Sequence, residues 1–175
     1  VEGSVLWLLE DNAAAAANLR AQALEQGIAP ERLIFAPRTT PPEHLARQRL
    51  ADLFLDTSPY TAHTTCSDAL WAGLPVVTFL GPTFAARVAG SLLNAAGLPE
   101  LVTASPAEYE QLALHLARDG VALAAIKAKL AANRKDCALF DTARFTRNLE
   151  AAFLTMADRQ RAGLAPQSFA VEGAS

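Results

Sequence analysis

At 175 residues with 51% apolar content, the chain can bury one substantial core, and its length fits one domain rather than two. Fifteen basic residues against eighteen acidic ones give a net charge of -3, which excludes the broad positive field that grips nucleic-acid backbones. No apolar run approaches the roughly 20 residues of a membrane span, and Val1-Glu2-Gly3-Ser4 lacks the order of a signal peptide, so neither nucleic acid nor membrane is expected as a partner and the expected location is cytoplasmic.

Short apolar runs alternate with longer stretches of helical period, the order of an α/β fold with a parallel sheet covered by helices on both faces. Ser4 to Leu9 is nearly all apolar and reads as a strand buried on both faces. Asp11-Asn12 offers a cap for an alanine-rich helix to about Gln26, with Gly27 as its stop. A second strand over Arg32–Ala36 ends at Pro37, and a helix near Pro42 to Ala51 leads into a third strand, Asp52–Asp56. The polar segment Thr57–His63 then joins that strand to a helix over Thr65–Ala72, closed by Gly73. A strand at Pro75–Phe79, a turn at Gly81-Pro82, a helix from Thr83 to about Ala96 and a short edge strand at Leu101-Val102 follow. Ser105-Pro106-Ala107-Glu108 has the pattern of a capping box and opens another helix. Residues 121–135 and 142–161 carry apolar residues at three- and four-residue spacing. The expected division is a lobe over 1–161 and a loose, small and polar tail over 162–175.

Cys66 and Cys137 match neither a disulfide scaffold nor a metal spacing, and His44, His63 and His115 leave little material for a zinc site. No metal and no cofactor are expected. Nor is there a Gly-rich phosphate loop or a G-x-S-x-G elbow, which removes Walker-type phosphoryl transfer and standard serine hydrolysis. Gly81-Pro82-Thr83-Phe84 reads as a tight turn with a packing role.

The segment Thr57 to Asp68 runs from the carboxyl end of a buried parallel strand into a helix, where open α/β sheets bind ligands. Backbone N–H groups at Thr64, Thr65 and Cys66 would point out of the helix start, where the dipole favours a phosphate. Hydroxyls of Thr64 and Thr65 would add donors, and Asp68 could accept from sugar hydroxyls. Thr65 and Asp68 also fit a plain capping pattern, and His63 fits a structural hydrogen-bonding role as well as a chemical one, so the residues alone leave both readings open. The same holds for the loop from Ala36 to Arg47. Its backbone can read the polar edge of a base, with His44 and Arg47 beside it, or Pro41 and Pro42 can simply start a helix whose solvated face carries them.

Leu50-Ala51-Asp52-x-x-Leu55-Asp56-Thr57, then His63-Thr64-Thr65-x-x-Asp68-x-Leu70-Trp71-x-Gly73, with Ala86-Arg87-Val88-Ala89 and Leu139-Phe140-Asp141, resembles the protein O-GlcNAc transferases and their bacterial relatives over nearly the whole chain. The resemblance implies the Rossmann-like C-terminal lobe of a two-lobed GT-B-type glycosyltransferase, which holds UDP-GlcNAc for inverting transfer to Ser or Thr of proteins. By position it implies that the backbone near Thr39 reads uracil beside His44 and Arg47, that His63, Thr64 and Thr65 meet the diphosphate and sugar, and that Asp68 meets the ribose. Its implied partners are a UDP-sugar, a protein acceptor and the N-terminal lobe of the same protein, with helical repeats upstream. Transfer of another sugar, such as glucose from UDP-glucose, and a non-catalytic nucleotide-sugar-binding or scaffold module are the alternatives. Two departures stand out: Pro41 replaces a lysine that relatives can carry, and the lobe's first strand and helix, with their diphosphate lysine, precede Val1 in the family. The catalytic residues are therefore expected to lie outside the chain. Alone, the chain is expected to be inactive and either marginally stable or self-associating.

Overall fold

Local chemistry sets the first elements of the computed structural model, which describes residues 1–171. The last four residues of the expected tail, 172–175, lie outside the described residues. Leu6–Leu9 forms β1. Asn12 then starts α1 (Ala13–Glu25): its backbone is extended, and its side-chain oxygen accepts from the Ala15 N–H at 2.7 Å. The chain turns at Gly27 and returns as β2 (Leu33–Ala36), parallel to β1 with Leu6 opposite Leu33 and Leu9 opposite Ala36. Next come α2 (Pro41–Gln48), β3 (Phe54–Leu55), α3 (Thr64–Ala72) and β4 (Val76–Phe79). Gly73 ends α3 with φ 91° and ψ 16°, a left-handed conformation that glycine adopts without steric cost. After α4 (Val88–Ala95) the chain makes one 3-10 turn, then β5 (Val102–Thr103), α5 (Pro106–Arg118), α6 (Gly120–Asn133) and α7 (Thr142–Arg161).

All strand pairs are parallel, as expected, but they do not form the single sheet predicted. Among the described residues β1 pairs with β2, and separately β3, β4 and β5 pair in that order. The break has a simple cause: β1 and β3 are each hydrogen-bonded along one edge, with no strand between them. Helix α2 packs against α3, and its Arg47 reaches the other group, donating to the Pro37 carbonyl and lying over the Trp7 ring.

The core belongs to the three-stranded half. Val76 and Val77 of β4, Cys66, Ala69 and Leu70 of α3, Leu93 of α4, and Leu98, Leu101, Leu116 and Leu130 form one buried cluster. The expectation that the first strand is buried on both faces is corrected: Leu6 and Leu9 are 45% and 44% exposed. Only one edge of β1 is paired, and α1 contributes a single buried residue, Ala16. At the far end α7 buries none of its side chains, so Phe145, Leu149, Phe153 and Met156 lie exposed along one stripe. Among the described residues no helix is long and apolar enough to cross a membrane.

One predicted helix is shorter than its sequence pattern. Residues 83–87 form turns instead of the first part of α4 because Thr61 inserts into the ladder there. Thr61 donates through both its N–H, at 3.0 Å, and its hydroxyl, at 2.6 Å, to the Ala85 carbonyl. The Ala89 N–H, which that carbonyl would otherwise accept from, reaches the Thr61 hydroxyl instead at 3.4 Å.

Candidate functional site

Three segments converge beyond the carboxyl end of β3: the loop 57–63, the first turn of α3, and the turns at 81–87. Thr61 ties the first to the third through Ala85, as described above. His63 lies between them, its ring stacked on Tyr60 at 4.8 Å between centroids and edge-on to Phe84 at 6.1 Å. Its Nε2 is 3.5 Å from the Ala85 carbonyl. Tyr60 and Phe84 are themselves exposed.

The start of α3 differs from that of most other helices. Asn12, Ser105, Asp119 and Asp141 cap α1, α5, α6 and α7 with their side chains, whereas His63, the N-cap of α3, makes no capping bond. Thr65 does not cap either. The helix begins one residue earlier than predicted, at Thr64, which puts Thr65 inside the first turn and its hydroxyl out of reach of the orphan N–H groups. Among the described residues the N–H groups of Thr64, Thr65 and Cys66 have no hydrogen-bond partner, and neither do the hydroxyls of Thr64 and Thr65 or the Asp68 carboxylate. Thr64 and Thr65 are exposed and Asp68 is half-buried. Behind this open turn Cys66 is fully buried. Burial first, and the Asp56 charge second, push its thiol up to about 12.

The second group of predicted residues surrounds α2. Thr39 is exposed in the loop before it, and the Thr40 N–H donates to Glu43 Oε2 at 3.1 Å to close a capping box. His44 and Arg47 are not on a merely solvated face. Both are half-buried, with Arg47 Nη2 3.2 Å from His44 Nδ1, while Arg47 Nη1 donates to the Pro37 carbonyl at 2.7 Å. The guanidinium also lies 5.8 Å from the centre of the Trp7 ring. The seven predicted residues thus fall into two groups, Thr39, His44 and Arg47 at α2, and His63, Thr64, Thr65 and Asp68 at α3. No hydrogen bond or ion pair joins the groups among the described residues, although their helices pack together.

The sequence profile of glycosyl transferase family 41 matches residues 1–149. The chain belongs to this family. It is 41% identical over 172 residues to the probable UDP-N-acetylglucosamine-peptide N-acetylglucosaminyltransferase SEC of Arabidopsis thaliana, covering 98% of the chain and 18% of that relative. A UDP-N-acetylglucosamine-peptide N-acetylglucosaminyltransferase of Caenorhabditis elegans is 37% identical over 164 residues, covering 94% of the chain and 14% of its own length. Among solved structures, a mutant of the Thermobaculum terrenum O-GlcNAc transferase superposes with a TM-score of 0.83 at 35% identity, over 90% of this chain and 31% of that one. The family 41 chain therefore spans less than a fifth of these two curated relatives. The α/β architecture and the family expected from the His-Thr-Thr element stand.

Sequence reasoning missed Asp56 and Thr61, which build the loop. The available signal was weak: a carboxylate at a strand's end followed by a polar segment. Several of their partners lie more than 20 residues away, at Thr78, Ala85 and Tyr109. Two hollows, of about 360 and 310 Å³, open elsewhere, one between Arg49, Trp71, Arg134 and Phe140 and one along Asn94, Gly97 and Asn133. Neither includes a predicted site residue.

Proposed function

We propose that this chain is the donor-nucleotide side of a glycosyltransferase that moves GlcNAc from UDP-GlcNAc to a serine or threonine hydroxyl of a protein. The observation that carries the reading is the uncapped first turn of α3, with three free N–H groups and two exposed hydroxyls beyond the end of a parallel strand. Such a turn attracts an anion, an effect worth roughly 0.3–1 kcal/mol at an exposed helix end and up to about 2 where partly buried. In the transfer the acceptor oxygen forms a bond to the anomeric carbon as the bond from that carbon to the diphosphate breaks. Negative charge grows on departing UDP, where fixed N–H dipoles stabilise the transition state more than the ground state.

On this reading His63, Thr64 and Thr65 face the diphosphate and sugar, Asp68 accepts from the ribose hydroxyls, and the Thr39 backbone with His44 and Arg47 faces uracil. The activities for which the two relatives are named support the choice of donor and acceptor. In this account the helix N–H groups stabilise the leaving group directly, and no metal cofactor is invoked. The unpaired edges of β1 and β3 support a further claim: additional chain of the same protein completes the sheet and supplies the acceptor side and the general base.

Calorimetry with UDP on the full-length protein tests the site. Asp68→Ala and Thr65→Ala should each weaken binding by about tenfold, the size expected when a hydrogen bond to a charged or sugar group is lost, with little change in melting temperature. Unchanged affinity in both would remove the proposal. Comparing UDP-GlcNAc with UDP-glucose as donor separates the sugar assignments.

A further inference from the structure

Asp56 is a buried acid whose side chain hydrogen-bonds none of the residues proposed to meet the donor. Only 6% of it is exposed, and among the described residues no cation pairs with it. An isolated charge in such a place costs several kcal/mol unless donors surround it. Here they do. Oδ1 accepts from the Thr57 N–H at 2.9 Å and the Ala62 N–H at 2.7 Å, and Oδ2 accepts from the Thr78 hydroxyl at 2.7 Å. The Asp56 main chain is fixed as well: its N–H donates to the Val77 carbonyl at 3.1 Å, and its carbonyl accepts from the Tyr109 hydroxyl at 2.9 Å. These three donors give both carboxylate oxygens hydrogen-bond partners in a place shut off from water.

The two N–H groups on Oδ1 come from the two ends of one loop. Thr57 opens it and Ala62 closes it, one residue before His63 and two before the first turn of α3. A single oxygen thus draws the ends together, and Thr78 anchors that oxygen's carboxylate to β4. Taking these contacts together, we propose that Asp56 is a positioning residue for donor binding: its carboxylate closes the loop 57–62 and thereby sets His63 and the free N–H groups of α3. This rests on the donor-site reading above.

Geometry, not charge, is what Asp56 contributes. Its negative charge lies close enough to α3 to help raise the Cys66 thiol, and a charge of that sign opposes an anion bound at the same turn. Asparagine keeps the oxygen that Thr57 and Ala62 need and turns an amide toward the Thr78 hydroxyl, which can rotate to accept. Alanine keeps nothing.

The test compares UDP affinity by calorimetry with amide exchange at Ala62, on the full-length protein at a temperature where every variant is folded. Asp56→Ala should weaken UDP binding by about tenfold or more, since small misplacements of binding groups carry such losses, and should speed exchange at Ala62. Asp56→Asn should stay within about threefold of wild type in both, because its hydrogen bonds to the loop persist. Leu130→Ala, a cavity in α6, should lower stability and leave UDP affinity unchanged. Should Asp56→Ala fail to fold, Thr78→Val replaces it and should give a smaller shift in the same direction in both readouts.

Wild-type affinity in Asp56→Ala, an equal loss in Asp56→Asn, or an equal loss in Leu130→Ala would each overturn the proposal. If wild type itself does not bind UDP, the donor-site reading fails separately. The loop claim is then decided by exchange alone: faster exchange at Ala62 in Asp56→Ala but not in Asp56→Asn upholds it, and equal rates in all three end it.

Discussion

A cysteine in the first turn of a helix ordinarily has a lowered pKa and reacts readily. Cys66 sits in that position in α3, yet burial and then the Asp56 charge push its thiol up to about 12. Iodoacetamide at pH 8 should therefore label Cys137, which is only partly buried, and spare Cys66 until denaturant is added. Mass spectrometry of the alkylated peptides checks this, and labelling of native Cys66 at the rate of Cys137 would contradict it. The same environment gives a pH dependence. Burial first and Asp56 second also raise the Tyr109 hydroxyl to about 12. Both groups bind protons more tightly when folded, so their contribution is fully present below the ordinary values of 9.0 and 10.0 and is lost as pH climbs toward about 12. Urea midpoints should hold between pH 7 and 8.5 and fall above about 9, in the direction linkage requires. At this scale the sequence was informative about residues that act within one motif. His63, Thr64, Thr65 and Asp68 share one short stretch, and the structure keeps them together at the start of α3. Asp56 was silent because nothing in its sequence shows that the loop folds back to bring the Ala62 N–H to its carboxylate, or that Thr78 and Tyr109 hold it in place.

Elements show the same divide between local and distant causes. Asn12 and Ser105 cap helices where the sequence put them, and Gly73 closes α3 in the conformation its residue type permits. These are contacts between residues two to four apart. The predicted helix from Thr83, in contrast, fails at its first turn because Thr61, more than 20 residues away, occupies both the Ala85 carbonyl and the Ala89 N–H. Apolar periodicity cannot register such an intrusion. Replacing Thr61 with valine, nearly the same in shape, removes the hydroxyl from that bridge and leaves the buried Ala89 N–H unpaired, while the Thr61 N–H still donates to the Ala85 carbonyl. A loss of about 1–3 kcal/mol in urea unfolding is expected from the desolvation of such a group. A loss below ~0.5 kcal/mol would mean that water or a simple helical bond replaces the hydroxyl at no cost. The capping reading of Thr65 failed because the N-cap is His63, two residues earlier, which puts Thr65 inside the first turn.

Across the whole molecule, burial is uneven. The β3–β4–β5 half holds the contiguous core, while β1 and β2 pair only with each other and leave Leu6, Leu9 and Ile34 exposed. Native-state exchange should separate the halves: amides of Val76 to Phe79 should open only with global unfolding, and those of Leu6 to Leu9 should exchange through a cheaper local opening. Equal protection in both would show one cooperative unit. The parallel α/β class was legible because its buried runs alternate with helices, but the division was not, since apolar content in Leu6–Leu9 reads the same whether or not a neighbour covers it. The division also bears on the nucleotide. The residues proposed for uracil lie on α2 and the loop that leads into it from β2, and those proposed for the diphosphate lie at the start of α3 on the well-packed half. A single UDP gripped at both ends would act as a crossbar between two panels that α2 and α3 otherwise hinge together, lending the firmness of one to the other. Donor occupancy and the rigidity of β1 and β2 would then rise and fall as one quantity.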